Sequence, residues 1–312
     1  MSLRLARRVL WAVVLASAPA CGDRSKKDEP PPKFTTEKNF KLLMTGEEPR
    51  MALRPALSVG ATLEATIDYD QDLTLSSDWR SSARTPTEGS ATVRLEFIDG
   101  KNDGPVAVRF AVSDIKGTRI DDADDLPNSG RATLGAWQEI DRVRFDGAPP
   151  LDAANEAKHA WMADVRRWLV EVLVPVPEEP IGVGASWTWK WDDRTGGVKV
   201  SHARTYRLDS LSEEEAVLTV YGGDSTDHFS AKGGSDLRGT IRLVPGTLGV
   251  PRSEMNVTAE MRLGPPTGKV VRGKLSGQSR LRPRGSAPLA DDAPAADPTG
   301  DGPAQPKERD AE

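Results

Sequence analysis

Apolar and polar side chains alternate with a period of two along much of this chain. Leu63, Ala65, Ile67 and Tyr69 are separated by polar residues, as are Ala91, Val93, Leu95 and Phe97. Val106, Val108, Phe110 and Val112 repeat the pattern after Asn102-Asp103-Gly104-Pro105, whose turn chemistry suits a hairpin between these two runs. Alternation of this kind places every second side chain on one face of a half-buried strand. Trp187, Trp189 and Trp191 share such a face, and Val198, Val200, His202, Arg204, Tyr206 and Leu208 make another run. Further runs lie near 215–222, 237–243, 254–263 and 268–281. The pattern predicts about ten strands with short polar turns, which implies antiparallel pairing.

One segment has a different period. Pro149-Pro150 precedes Leu151–Val174, and Pro175 and Pro177 follow it. Within it Ala154, Ala157, Trp161, Val165, Trp168 and Val172 recur at helical spacing. Asp152 suits the N-cap, and Arg167 and Glu171, four apart on the other side, suit a weak surface pair. Two tryptophans on the apolar face require a large hydrophobic surface to pack on. The predicted fold is mainly β, of α+β type: a curved antiparallel sheet or half-open barrel of about ten strands, with one long helix packed against it.

The chain also repeats itself. Val59-Gly60-Ala61-Thr62-Leu63 returns as Val183-Gly184-Ala185-Ser186-Trp187, and Ala91–Phe97 resembles Glu215–Tyr221 at almost the same offset. The layout fits two similar halves, about 55–147 and 180–282, joined by the helix at 151–174.

The ends read differently. Arg4, Arg7 and Arg8 precede an apolar run from Val9 to Ala20, too short for a span that needs roughly 20 apolar residues. Residues 1–20 therefore read as a signal peptide. Cys21, the only cysteine among 312 residues, follows directly, so no internal disulfide is available to the fold. Ala18-Pro19-Ala20-Cys21 resembles the lipobox of bacterial lipoproteins, departing from it at Ala18 and Pro19. The resemblance implies a diacylglycerol on Cys21 and cleavage just before it. Several acyl chains, each CH₂ contributing about 0.8 kcal/mol on burial, make such attachment effectively permanent. Ala18-Pro19-Ala20 also fits an ordinary A-x-A cleavage site, which would release a soluble secreted protein. Gly22, rather than Asp, after the cysteine points to the outer membrane more than the inner. Residues 21–36 are charged and Pro-rich and read as a tether, and residues 283–312 read as a disordered acidic tail. That leaves 37–282 for a β-rich domain.

Val174–Trp187 (VPVPEEPIGVGASW) resembles a segment of uncharacterised bacterial lipoproteins, in which a Pro-Glu-Glu-Pro-Val-Gly-Val-Gly-Ala-x-Trp type run follows a helix and opens a strand. The resemblance implies no activity and no catalytic residues. By analogy it suggests the half-open barrel of lipoprotein and lipid carriers, and fold analogy does not fix function.

Charge and chemistry narrow the classes. A net charge of −5 without a basic stripe argues against nucleic-acid binding. The three histidines, His159, His202 and His228, show no metal-ligand spacing, and no G-x-S-x-G elbow, P-loop or dinucleotide fingerprint occurs. Asp121-Asp122-Ala123-Asp124-Asp125 lacks the pattern of a calcium loop and reads as solvated acid. The Gly-rich stretch holding Asp224, Asp227, His228, Gly233 and Gly234 reads as a long hairpin connection, with a functional loop as the alternative. The expected protein is non-enzymatic and takes no cofactor and no metal. Trp161, Trp168, Trp187, Trp189 and Trp191 are its candidate cluster, lining either a cavity for a hydrophobic ligand or an ordinary core. The expected partners are the membrane, through lipidated Cys21, and a hydrophobic ligand or an envelope protein. A purely structural role in the envelope is the alternative. An apolar cavity would favour a ligand, a filled core with exposed apolar groups a protein partner, and a buried polar cluster with shifted pKa values an enzyme.

Overall fold

The computed structural model describes residues 39–284, apart from the short stretches 78–79, 100–105, 118–125, 136–137, 150–155, 196–197, 229–230 and 264–269. Its elements are β1 (Asn39–Met44), β2 (Thr62–Ser77), β3 (Arg80–Asp99), β4 (Val106–Gly117), β5 (Ser129–Leu134) and β6 (Ile140–Phe145). Helix α1 (Glu156–Val172) follows, then β7 (Ser186–Thr195), β8 (Val198–Leu211), β9 (Ala216–His228), β10 (Ala231–Leu243), β11 (Arg252–Leu263) and β12 (Val271–Pro283). All twelve strands belong to one antiparallel, unclosed sheet in the order β1-β7-β8-β9-β10-β11-β12-β2-β3-β4-β5-β6. Two up-and-down meanders, β2–β6 and β7–β12, meet where β12 pairs with β2.

The period-two runs form strands for the expected reason. Leu63, Ala65, Ile67 and Tyr69 of β2 are buried, as are Ala91, Val93, Leu95 and Phe97 of β3 and Val108, Phe110 and Val112 of β4. β3 and β4 pair as the predicted hairpin. The opposite face carries cross-strand ion pairs, among them Arg282–Asp68 (2.9 Å), Arg109–Glu96 (2.9 Å) and Lys274–Glu260 (2.8 Å). Each exposed pair contributes little, about 0–1 kcal/mol, but together they keep that face wet and the inner face unambiguous.

Two expectations need correction. The described residues form twelve strands, not ten, because β1, β5 and β6 give weak patterns. In β5 the inward position nearest Phe110 is Gly130, where a Cβ would lie 2.6 Å from the Phe110 ring, so the partner strand's side chain fills the space and the alternation fades. The helix has 17 residues and is not long. Its apolar stripe is as expected: Trp161, Val165, Trp168 and Val172 are all buried. Asp152 and Ala154 lie outside the described residues. Arg167 pairs with Asp164 (3.1 Å). Glu171 does not stand on the solvent side; it turns towards the sheet, where Ser279 of β12 donates to it at 3.5 Å.

The repeated Val-Gly-Ala segment forms the same turn twice. Ala61 N–H donates to Ser58 O (3.0 Å), Gly60 N–H to Phe97 O (2.7 Å) and Phe97 N–H to Ala61 O (3.0 Å). In the second turn Ala185 N–H donates to Gly182 O (3.0 Å), Gly184 N–H to Leu208 O (2.8 Å) and Leu208 N–H to Ala185 O (2.9 Å). Gly60 and Gly184 adopt φ of 84° and 83°, the left-handed conformation that such a turn requires at its third residue. The second sequence match does not correspond in space. Ala91–Phe97 lies on β3, which pairs with β2, whereas Glu215–Tyr221 leads into β9, two strands from β7.

The core has two adjoining parts. One lies between α1 and β2–β6 and holds Trp161 and Trp168. The other lies under β7–β11 and holds Trp187 and Trp189, with Trp191 packed at its margin. Val170 of α1 packs against both.

Candidate functional site

Strand alternation and register bring a polar row together on the inner face. Trp191 of β7 stands opposite His202 of β8, His202 opposite Asp224 of β9, and Asp224 opposite Ser235 of β10. Asp224 lies in the Gly-rich stretch predicted as a hairpin connection. That stretch instead continues as paired strand to His228 and resumes at Ala231.

Asp224 is the hub. One carboxylate oxygen meets His202 Nδ1 at 2.8 Å and Arg204 Nη2 at 2.9 Å; the other accepts from Ser235 Oγ at 3.2 Å. The Asp224 N–H donates back to Ser235 Oγ (3.0 Å). Arg204 Nη1 donates to the carbonyls of Ala203 and Gly223, each at 2.9 Å. The aromatic side is equally occupied. The Trp189 and Trp191 rings stack at 4.0 Å, the Trp191 and His202 rings at 4.6 Å, and Arg204 lies 5.5 Å from the Trp191 ring centre.

Burial opposes ionisation of Asp224, but the His202 hydrogen bond and the Arg204 charge outweigh it and hold the carboxyl well below the usual carboxylate range. An ionised carboxylate only accepts, so His202 Nδ1 is the donor in this bond. Across the interior, Glu171 of α1 behaves oppositely. Burial raises its pKa, more than the charges of Arg167 and Arg204 and the Ser279 hydrogen bond lower it. As a residue Glu171 is half-buried, but its carboxyl end is the enclosed part. Burial likewise raises the Tyr206 hydroxyl, whose ring stacks on Trp187 at 5.5 Å.

A raised acid pKa lowers stability as pH rises. Below the ordinary value of 4.5 Glu171 is protonated in both folded and unfolded chains and has no effect. Above it the unfolded chain ionises first, and stability falls until the folded group also ionises. Glu171→Gln removes this slope. Urea unfolding at a series of pH values should show the variant equal to the parent near pH 4 and more stable above the ordinary carboxyl range, the difference levelling off once the folded carboxyl ionises.

An Asp that orients a His is half of a nucleophilic triad. The hydroxyl that would complete it is misplaced, because Ser235 bonds to Asp224 and not to His202. Among the described residues no group of three or more His, Cys, Asp or Glu is positioned to hold a metal ion. Within the cluster the Asp224 carboxylate is shared by His202, Arg204 and Ser235. The side chains of His159 and His228 lie outside the described residues, as do Cys21 and Asp121–Asp125.

The five candidate tryptophans do not form one cluster. Trp161 and Trp168 meet edge to face at 5.2 Å, and Trp168 stacks on Tyr69 at 5.9 Å, in the α1 part of the core. Trp187 and Trp189 are buried in the other part, while Trp191, expected to be buried with them, is half-buried. Trp187 Nε1 donates to Pro175 O (3.0 Å); the indole N–H groups of Trp161, Trp168 and Trp189 are buried without a partner. An apolar cavity of about 40 Å³ lies at the C-terminal end of α1, lined by residues such as Leu53, Leu57, Val172, Leu173 and Leu248. A larger open cleft of about 500 Å³ is bordered by Asp68, Tyr69, Glu88, Lys116, Gln278 and Arg280. No helix among the described residues is long and apolar enough to cross a membrane. No protein-family model and no curated protein matches this chain.

Proposed function

We propose that this chain is a lipoprotein of the bacterial cell envelope, anchored through Cys21, that acts by binding a protein partner and carries out no chemistry of its own. The observation that carries this reading is the filled core. Ligand pockets enclose about 300–1,000 Å³ and bury most of the ligand's surface, whereas the cavity at the end of α1 is about 40 Å³ and the cleft of about 500 Å³ is open to solvent. The polar row on the inner face is satisfied by its own members, which supports a structural role for it. Gly22 favours the outer membrane.

The sheet is best described as a half-open barrel curled round α1. Arg166 stands 5.7 Å from the Phe145 ring of β6, and Glu171 meets Ser279 of β12. Residues 166 and 171 are about 7.5 Å apart along a helix axis. β6 and β12 are five strand spacings apart, about 24 Å in a flat sheet.

A hydrophobic ligand is the second reading, favoured by the unpartnered indole N–H groups of Trp161, Trp168 and Trp189. Each unmade hydrogen bond costs about 1–3 kcal/mol, a cost that a ligand with acceptor atoms between α1 and the sheet would relieve. Native mass spectrometry of the gently purified full chain separates the two. A clean polypeptide-plus-anchor mass supports partner binding; a further bound apolar molecule transfers support to the ligand.

The anchor has its own test. In cells fed a tagged fatty acid, the parent chain should take up label and sediment with membranes, while Cys21→Ser should take up none and lose most of its membrane fraction. An unlabelled, soluble parent chain would mean ordinary secretion and would sink the anchor.

A further inference from the structure

Antiparallel pairing gathers the end of β1, the turns that open β2 and β7, the β8–β9 turn and the end of β10 at one end of the sheet. The large apolar side chains that stand exposed are concentrated there. Leu43, Met44, Val59, Val183 and Val244 are 40% to 66% exposed, and only Tyr221 of the described exposed set lies elsewhere, on the outer face. Val59 and Val183 occupy the same outward position of the two matching turns, where no packing demand of the core calls for valine.

Acidic residues ring these groups. Glu47 donates its N–H to Val183 O (2.8 Å), so it flanks that valine. The β8–β9 turn, with Glu213 and Glu214 at its tip, lies between Val183 and Val244: Leu208 bonds to Gly184, and Glu215 holds Arg242 (2.9 Å) two residues before Val244. Three arginines of this end are already engaged, Arg50 with Glu48, Arg54 with Glu178 and Arg242 with Glu215, while Arg252 stands opposite Arg242 on β11. Glu47, Glu179, Glu213 and Glu214 are exposed and have no ion-pair partner among the described residues.

We infer that this rim is the docking surface for the partner, and that the partner presents an apolar contact patch ringed by Lys and Arg. The inference rests on the partner-binding reading and adds the place and the chemistry. Charge complementarity selects the occupant. An anionic bilayer surface would be repelled. So would the chain's own C-terminal segment, which carries Asp291, Asp292, Asp297 and Asp301.

The test uses full-length protein in cells, with a photo-crosslinking amino acid at Val183, at Val244 or, as an outer-face control, at Tyr221. Both rim positions should yield the same discrete protein adduct and Tyr221 none. Glu179→Lys, Glu213→Lys and Glu214→Lys together should reduce the adduct at least tenfold, as should Val183→Asp in the Val244 probe. These side chains are exposed, so the thermal midpoint should stay within about 2 °C of the parent, which keeps misfolding out of the comparison. An adduct that survives the triple charge reversal overturns the inference. Lipid adducts alone, or none, overturn it together with the partner-binding reading. A protein adduct from Tyr221 alone overturns the rim but leaves partner binding standing.

Discussion

Trp168→Ala should lower the free energy of unfolding by about 3–5 kcal/mol, the range for truncating a large aromatic side chain in a packed core. Trp168 is 1% exposed and joins α1 to the sheet through Tyr69 and to its own helix through Trp161. Its loss opens a hole that rigid strands on one side cannot close. At about 2–4 °C per kcal/mol for a domain of this size, the thermal midpoint should fall by roughly 10 °C. Trp168→Phe is the informative companion. The indole N–H is buried without a partner, so removing it recovers part of what the smaller ring loses, and the cost should be less than half that of alanine. Trp187→Phe should cost more than Trp168→Phe, because it strands the Pro175 carbonyl. Urea titrations of the three variants decide the order; equal costs for the two phenylalanines would show that the indole N–H groups do not matter.

Asp224→Ala should have the next largest effect, about 3 kcal/mol. Removing one partner of a buried charge pair typically costs 3–5 kcal/mol, and the lower end applies because Asp224 is 34% exposed and water partly screens the gap. Arg204, 11% exposed and held by two backbone carbonyls, has nowhere to go. The pH dependence has a definite sign. The folded pKa of Asp224 lies below its ordinary 3.8, so its stabilisation is fully present above that value and is lost as pH falls through the folded pKa. Asp224→Asn should therefore be less stable than the parent at pH 7 and converge with it in strong acid. Parallel unfolding curves from pH 7 to pH 2 check this; a constant difference would mean that the carboxylate charge contributes nothing.

The two groups show how far local pattern carries. The spacing of Trp168 with Trp161, Val165 and Val172 puts it on the apolar face of a helix, and all four are buried. Asp224 sits among Gly222, Gly223, Ser225 and Thr226, a composition indistinguishable from a loop. Its place became visible only through cross-strand register, which pairs it with His202 and Ser235, 22 and 11 residues away. Glu171 failed for a related reason. Four-residue spacing from Arg167 is compatible with a surface pair, but Arg167 pairs with Asp164 and the Glu171 carboxyl meets Ser279 of the sheet.

The mainly β class, the inward face of most strands, the helix with its buried stripe and the Val-Gly-Ala turns are legible in the chain before it folds. Each is local: period, proline punctuation and a glycine that must adopt positive φ act within a few residues. The twelve-strand order, the split of the tryptophans into two parts of the core, the Asp224 cluster and the acidic, apolar rim arise only when the strands assemble. These depend on which strands become neighbours and in what register, and that choice is made by burial summed over the whole sheet, which no short stretch of sequence contains.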